Sequence, residues 1–436
     1  MRLLSRLNIE NCAQCARRDS NRLRGEEEAL MTRLLLFLTL AASVAIATDE
    51  TTQTKSHVGN LYPFLQEYAD QQTHKLSYLS GDWKDLDAWR KAGREKMWEL
   101  LAYEPQEASP EAELIGEVKK EGYTRYHVRY AVTANRKTEA FLLIPDNLKG
   151  PVPAVIALHD HGGFYYYGKE KITKTENPLP CLQKHIDEAY GGRPFADELA
   201  LRGFVVLIPD AFYFGSQRLD LDSLPDRFTK PVQGLTPDTN EYVTAHREVA
   251  GPHEEITAKT IFTAGTTWPG ILFQGDRASV DYLVTRPEVD ADRIGCIGLS
   301  IGGFRSAHLF ALDPRIKVGV VAGWMTTYDS LLYDHLWYHT WMIYVPGQLA
   351  WLDLPDVVTL NAPRPLMVIN CLQDILFTHK GMEDAENKIR AVYTAMDASD
   401  RFSCKYYDEP HSFKVPAQDD AIAWLEKWLI KTPIMD

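Results

Sequence analysis

Residues 298–303, Gly298-Leu299-Ser300-Ile301-Gly302-Gly303, constrain this chain more than any other stretch. The run before them, Arg293-Ile294-Gly295-Cys296-Ile297, is short, apolar and of strand type, and residues 304–312 after them have helical character. A G-x-S-x-G between a strand and a helix forces a sharp turn with the serine at its tip. The strand and helix then cross so closely that a side chain at Gly298 or Gly302 would collide with the crossing. The turn lifts the Ser300 hydroxyl above the sheet edge. It also points the first amides of the helix at whatever that hydroxyl attacks.

The rest of the chain supplies the sheet that such a turn requires. Residues 59–105 read as helical, with Trp83, Leu86, Trp89, Met97, Trp98, Leu100 and Leu101 recurring between charges. Two strand-like runs follow, 123–130 and 138–144, joined by a polar hairpin link. Apolar runs of buried-strand type lie at 152–158, 204–208, 316–321, 365–371 and 402–407. Helical runs lie at 195–202, 271–285, 382–396 and 417–430. Strands alternating with helices predict an α/β fold with a mostly parallel central sheet flanked by helices, cap insertions and an N-terminal helical segment. Such sheets place their ligand sites at the C-terminal strand ends. Residues 164–192 and 213–265 read as long insertions, the second poor in periodicity, and segments of that length cover or line a site.

Two further strand ends carry partners for Ser300. Asp374 stands in the turn after the 365–371 strand, and His411 in the loop after the 402–407 strand. A serine hydroxyl is a poor nucleophile until a base accepts its proton. Imidazole has the right basicity, and a carboxylate fixes its tautomer and stabilises the imidazolium. The order Ser300, Asp374, His411 therefore reads as a catalytic triad, with Asp329 and Asp334 as rival acids. The oxyanion hole is expected from the amide of Ile301 and one amide of His159-Asp160-His161-Gly162-Gly163, that of His161 or Gly162. An H-x-H can also mark a metal site, but no third ligand stands at a persuasive spacing, and the His335/His339 pair lacks the glutamate of a metalloprotease helix. No metal site is expected.

The turn at Ser300, the H-x-H-G-G loop, the terminal Asp and His and residues 290–303 together resemble the α/β-hydrolase superfamily. Within it the chain resembles the dienelactone hydrolase and acetyl xylan esterase-like branch, over roughly residues 115–430. The resemblance implies carboxylic-ester hydrolysis by a Ser-His-Asp triad without a cofactor. Dienelactone hydrolases proper use a cysteine where this chain has Ser300. Glucuronoyl esterases of the superfamily carry an arginine just after the nucleophile, where this chain has Ile301, which argues against that activity. The substrate expected is an ester, with acetylated polysaccharide as its class. Trp324, Trp337 and Trp341 are candidate sugar-stacking residues, because aromatic faces pack on sugar rings. Tyr165, Tyr166 and Tyr167 are candidates to join them. A peptidase of the prolyl-oligopeptidase type and a silent hydrolase-fold binding protein are the alternative classes.

A formal net charge of −13 and the lack of a basic patch argue against nucleic acid as a partner. Residues 34–47, LLLFLTLAASVAIA, follow Met31-Thr32-Arg33 and end in Ala45-Ile46-Ala47. This reads as a secretory signal peptide starting at Met31, with a secreted or periplasmic product and no membrane attachment after cleavage. Residues 1–30, with Cys12 and Cys15, then read as a start assigned too early. The expected organisation is 1–47 as leader and signal, 48–114 as a helical segment and 115–436 as the catalytic domain. Cys181, Cys296, Cys371 and Cys404 suggest no disulfide framework, and the last three read as buried strand residues. The sequence does not fix the oligomeric state.

Overall fold

A computed structural model describes residues 54–81 and 83–431. The expected signal peptide and the Cys12/Cys15 pair lie outside the described residues. The described residues fall into two units that divide between Asn60 and Leu61. In the first, the Thr54 hydroxyl donates to the Gly59 carbonyl at 2.8 Å.

The second unit opens with helices α1 (Tyr62–Asp70) and α2 (Leu86–Leu101). The Asp85 carboxylate caps α2 by accepting from the amides of Asp87 and Ala88. Trp89, Gly93, Met97 and Leu101, each one turn after the last, form the buried face of α2. Strands β1 (Ala112–Lys119), β2 (Tyr123–Thr133), β3 (Arg136–Pro145) and β4 (Val152–Leu158) follow. Next come α3 (Pro180–Tyr190), α4 (Phe195–Leu201), β5 (Val205–Pro209), α5 (Asn240–Thr263) and α6 (Trp268–Leu283). The last part holds β6 (Val289–Leu299), α7 (Ile301–Leu312), β7 (Ile316–Ala322), α8 (Leu354–Thr359), β8 (Leu366–Cys371), α9 (His379–Ala395), β9 (Phe402–Tyr407) and α10 (Val415–Leu425).

The nine strands form one sheet in the order β1-β2-β3-β5-β4-β6-β7-β8-β9. Strands β1 to β3 and the β3–β5 pair are antiparallel, and every pairing from β5 to β9 is parallel. Both faces of the parallel part are covered, so its strands are apolar throughout rather than alternating. In β4, Ala154, Ile156 and Leu158 join one core with α2, α6, α7, α8 and α9, while Val155 and Ala157 join a second core with α4 and α10. Each fully buried Val, Leu or Ile in these strands contributes about 1.5–3 kcal/mol.

Three elements depart from the sequence expectation. The 213–265 segment, read as poor in strong periodicity, contains the 24-residue helix α5. Its buried positions include Val243, His246, Val249, Ala250, His253, Glu254 and Ala258, which do fall at helical spacing. Three of them are polar and Pro252 lies among them, so an apolar template and a helix-breaker rule both pass over it. Helix α3 sits inside the first insertion, starting at Pro180 as its first residue. Strand β1 is almost wholly exposed and carries no alternating pattern. Cys296 and Cys371 are buried in β6 and β8, whereas Cys404 in β9 and Cys181 are only half-buried.

Candidate active site

The turn between β6 and α7 is held as its glycines require. A Cβ on Gly298 would lie 2.3 Å from the Gly302 carbonyl oxygen, and one on Gly302 would lie 2.1 Å from that of Leu158. Both obstacles are backbone, so no side-chain movement relieves them. Ser300 takes φ +60° and ψ −123°, a conformation that side chains rarely adopt. Its amide donates to the Ala322 carbonyl and its carbonyl accepts from the Phe304 amide, each at 2.9 Å. The turn is thereby tied to β7 on one side and to the helix on the other.

The loops after β8 and β9 run side by side. Leu372 N donates to Tyr407 O at 2.8 Å, Gln373 N to Glu409 O at 3.0 Å, and the Cys371 thiol to Ser412 O at 3.3 Å. This pairing sets Asp374 against His411. His411 Nδ1 donates to Asp374 Oδ2 at 2.6 Å, and Asp374 Oδ1 accepts from the Leu376 amide at 2.9 Å. With its proton on Nδ1, the imidazole leaves Nε2 as a bare acceptor. That Nε2 is buried and has no hydrogen-bond partner among the described residues. The ring lies over Gly323, where a Cβ would be 3.1 Å from His411 Cε1, one residue beyond the carbonyl that holds the Ser300 amide. The rival acids are engaged elsewhere: Asp329 accepts from Gln66 and Asp334 pairs with His335.

Ser300, Ile301, His411, His161, Gly162 and Trp324 line one cavity of about 370 Å³, together with Tyr165, Glu254 and residues 338–340. Thus Ser300, His411 and all three expected oxyanion residues meet at one place, with Asp374 behind His411. Of the three tryptophans only Trp324 is in the wall, 3 % exposed and packed against Phe304, His339 and Phe377. Trp337 is 80 % exposed and Trp341 40 % exposed, and both lie outside this lining. Of the three adjacent tyrosines Tyr165 alone lines the cavity, and Tyr166 turns away to donate to Asp238.

Sequence reasoning missed Glu254. It is 5 % exposed, and α5 carries it into the cavity wall. Its Oε1 accepts from His161 Nε2 at 2.6 Å and from the Tyr165 hydroxyl at 2.7 Å. Its Oε2 accepts from the Thr340 hydroxyl at 2.5 Å and the Trp341 amide at 3.2 Å. Burial alone would raise its pKa, but the His161 and Thr340 bonds outweigh it and hold the carboxyl below the ordinary range. His161 Nδ1 in turn accepts from the Gly163 amide at 2.9 Å, so His161 is pinned at both nitrogens. The other histidine of the H-x-H pair faces elsewhere. Burial first, and then the Lys171 charge, push His159 well below its usual range, and its Nε2 accepts from the Ala211 amide. His339 is lowered to about 4 by burial, which outweighs the hydrogen bond it donates to the Leu376 carbonyl.

This sheet order, with a serine on a strained turn after a central parallel strand, defines an α/β-hydrolase. A family model described as "Dienelactone hydrolase family" matches residues 186–428, and one described as "Abhydrolase family" matches residues 64–172. The chain belongs to the dienelactone hydrolase family. YtaP of Bacillus subtilis (strain 168), assigned as a hydrolase, is 27 % identical over 299 residues, 68 % of this chain and 86 % of YtaP. A Bacteroides fragilis NCTC 9343 protein assigned as an acetyl xylan esterase superposes with a TM-score of 0.61 at 19 % identity, over 79 % of this chain and 82 % of that one. A glucuronoyl esterase from Solibacter usitatus superposes with a TM-score of 0.51 at 14 % identity, over 82 % and 99 %. At these identities the two structures establish a shared fold.

Proposed function

We propose that the protein is a serine carboxylic-ester hydrolase that removes acetyl groups from a polysaccharide. The observation that carries this reading is His411: its Nδ1 is on Asp374 and its Nε2 is buried, without a partner among the described residues, in the cavity that Ser300 lines. In the reaction, the Ser300 Oγ attacks the acyl carbon as its proton passes to His411 Nε2. The carbonyl π electrons move onto oxygen, where the amide of Ile301 and that of His161 or Gly162 receive the charge. Collapse expels the alcohol oxygen, which takes the proton from His411, and leaves an acyl-Ser300. Water then attacks the acyl carbon, gives its proton to His411 and releases acetate as Ser300 is reprotonated. Asp374 holds the ring and stabilises its cation. No cofactor enters these steps.

The exposed Trp337 and Trp341 support a sugar polymer as the alcohol side, and the neighbour assigned to acetyl xylan is consistent with acetate as the acyl group. Ile301 after the serine disfavours glucuronoyl esters. Residues 31–47 support export as the route to such a polymer. Among the described residues, no helix is long and apolar enough to cross a membrane. The test is acetate release from a panel of acetylated polysaccharides and a small chromogenic acetate, by the chain from Thr48 and by Ser300→Ala. Release from one polymer, abolished in the variant, is expected. Turnover that survives Ser300→Ala sinks the reading, and activity on the small ester alone removes the polysaccharide.

A further inference from the structure

Behind the loop that lines the cavity lies a cation that the mechanism above does not use. Lys171 sits in the short turn Lys169–Ile172, fully buried and not part of the cavity wall. Lys169, in the same turn, is paired with the Asp210 carboxylate at 2.8 Å. The Lys171 ammonium makes only a longer ion pair, with Asp160 Oδ2 at 3.9 Å, beyond hydrogen-bond reach. It donates instead to two backbone carbonyls, Asp160 O at 2.7 Å and His161 O at 3.1 Å, with the Phe214 ring 4.7 Å from it.

Those two carbonyls belong to particular peptide groups. The Asp160 carbonyl shares its peptide with the His161 amide, and the His161 carbonyl shares its peptide with the Gly162 amide. In a planar trans peptide, C=O and N–H point in opposite directions, so both amides face away from Lys171. They are the two candidates for the amide expected to complete the oxyanion hole with that of Ile301. Neither donates to an acceptor among the described residues, whereas the next amide, that of Gly163, is taken by His161 Nδ1. A cation hydrogen-bonded to a carbonyl oxygen draws electron density through the amide and makes the N–H beyond it a stronger donor. Lys171 and Asp160 are buried, and in such a low-dielectric setting this effect is weakly screened.

We propose that Lys171 is a positioning residue that fixes the His161 and Gly162 peptide groups and polarises their amides toward the oxyanion formed on the substrate. This rests on the serine-esterase reading. The charges facing Lys171 are Asp160 at the end of β4, Asp210 at the end of β5, Glu170 on its own turn and Arg305 on α7, with His159 held neutral nearby. Burial dominates, and lowers the ammonium to about 8 against the pull of the three carboxylates. Its charge is therefore present at neutral pH and lost as pH rises through about 8.

The test compares the wild type with Lys171→Met, using a small acetate ester and a trifluoromethyl ketone that forms a tetrahedral adduct with a serine. The variant should lose about tenfold in kcat with KM unchanged, less than the ~10²–10³ lost when an oxyanion donor is removed outright. Its affinity for the ketone should fall by the same factor. The wild-type decline in ketone affinity above about pH 8 should be absent from the variant. Unchanged kcat and ketone affinity, or a loss confined to KM, overturns the proposal. If Lys171→Met does not fold, the wild type decides: ketone affinity flat from roughly pH 7 to 10 overturns it, and a decline centred near 8 supports it. Ser300→Ala, run alongside, separates the two failures. Ser300-dependent turnover with an unaffected Lys171→Met removes the polarisation and leaves the esterase.

Discussion

The cavity has two walls built in different ways. On one side, Ser300, Asp374 and His411 stand on short turns at the ends of β6, β8 and β9, and each turn is tied to a neighbouring strand by backbone hydrogen bonds. On the other side, His161, Tyr165 and Glu254 come from a glycine loop and from inserted segments, and side chains hold them together, four donors converging on one buried carboxylate. The first wall inherits its geometry from the sheet. The second depends on a polar network in which only His161 follows a strand, β4, and such networks lose much when one member is removed. Chemistry placed on the first wall should be sensitive to the identity of single atoms. Function placed on the second should be sensitive to whether the network closes.

The largest effect expected is on the first wall. Asp374→Asn removes the charge that orients His411 and permits the wrong tautomer, so kcat should drop by about 10⁴ with KM little changed. Steady-state kinetics on a small ester checks this, and a loss under tenfold would mean that another carboxylate does the work. On the second wall, Glu254→Gln sets an NH₂ group against donors that now bond to carboxylate oxygen. A loss of about 1–3 kcal/mol in stability is expected from the unsatisfied groups, with kcat reduced about tenfold. Because the folded-state pKa of Glu254 is depressed, its stabilising contribution is complete above the unfolded value, near 4.5, and fades as pH falls through the folded one. The difference in Tm between wild type and Glu254→Gln should therefore shrink on acidification, and a constant difference from pH 7 to pH 3 would contradict the assignment of charge. The smallest effect belongs to Trp337→Ala. At 80 % exposure it should leave stability within about 0.5 kcal/mol and small-ester turnover unchanged, while polymer turnover falls severalfold. Equal rates on both substrates would remove Trp337 from sugar binding.

The same contrast explains which parts of the molecule are legible in the amino-acid sequence. Strand ends announce themselves: an apolar run of five to seven residues stops, and a Gly-x-Ser-x-Gly, a Gln-Asp or a Pro-His follows. Those signals suffice to assemble Ser300, Asp374 and His411 with the loop at 159–163, and to mark the parallel strands. Glu254 gives no such signal, because it lies on a helix whose buried face includes His246 and His253 and whose run crosses Pro252. Lys171 looks like any lysine among Lys169, Glu170 and Lys174, and only its backbone-carbonyl partners distinguish it from the equally buried, carboxylate-paired Lys169. The tryptophans show the opposite limit. Composition marks the 324–351 stretch as aromatic, but does not separate the buried Trp324 from the exposed Trp337.

The buried ammonium of Lys171 also bears on how firmly the chain holds itself together. Its pKa is lowered to about 8 in the folded state, against 10.5 when solvated, so the unfolded chain binds that proton more tightly. Keeping the charge inside costs about 3 kcal/mol at neutral pH, a large share of the 5–15 kcal/mol that stabilises a typical domain. As pH rises from about 8 toward 10.5 the proton leaves the folded chain first, and this group's contribution to stability improves. Over the same interval the amides it polarises become weaker donors. Alkalinity thus moves two properties in opposite directions through one side chain: the cost that Lys171 imposes on the fold shrinks as the oxyanion site grows feebler.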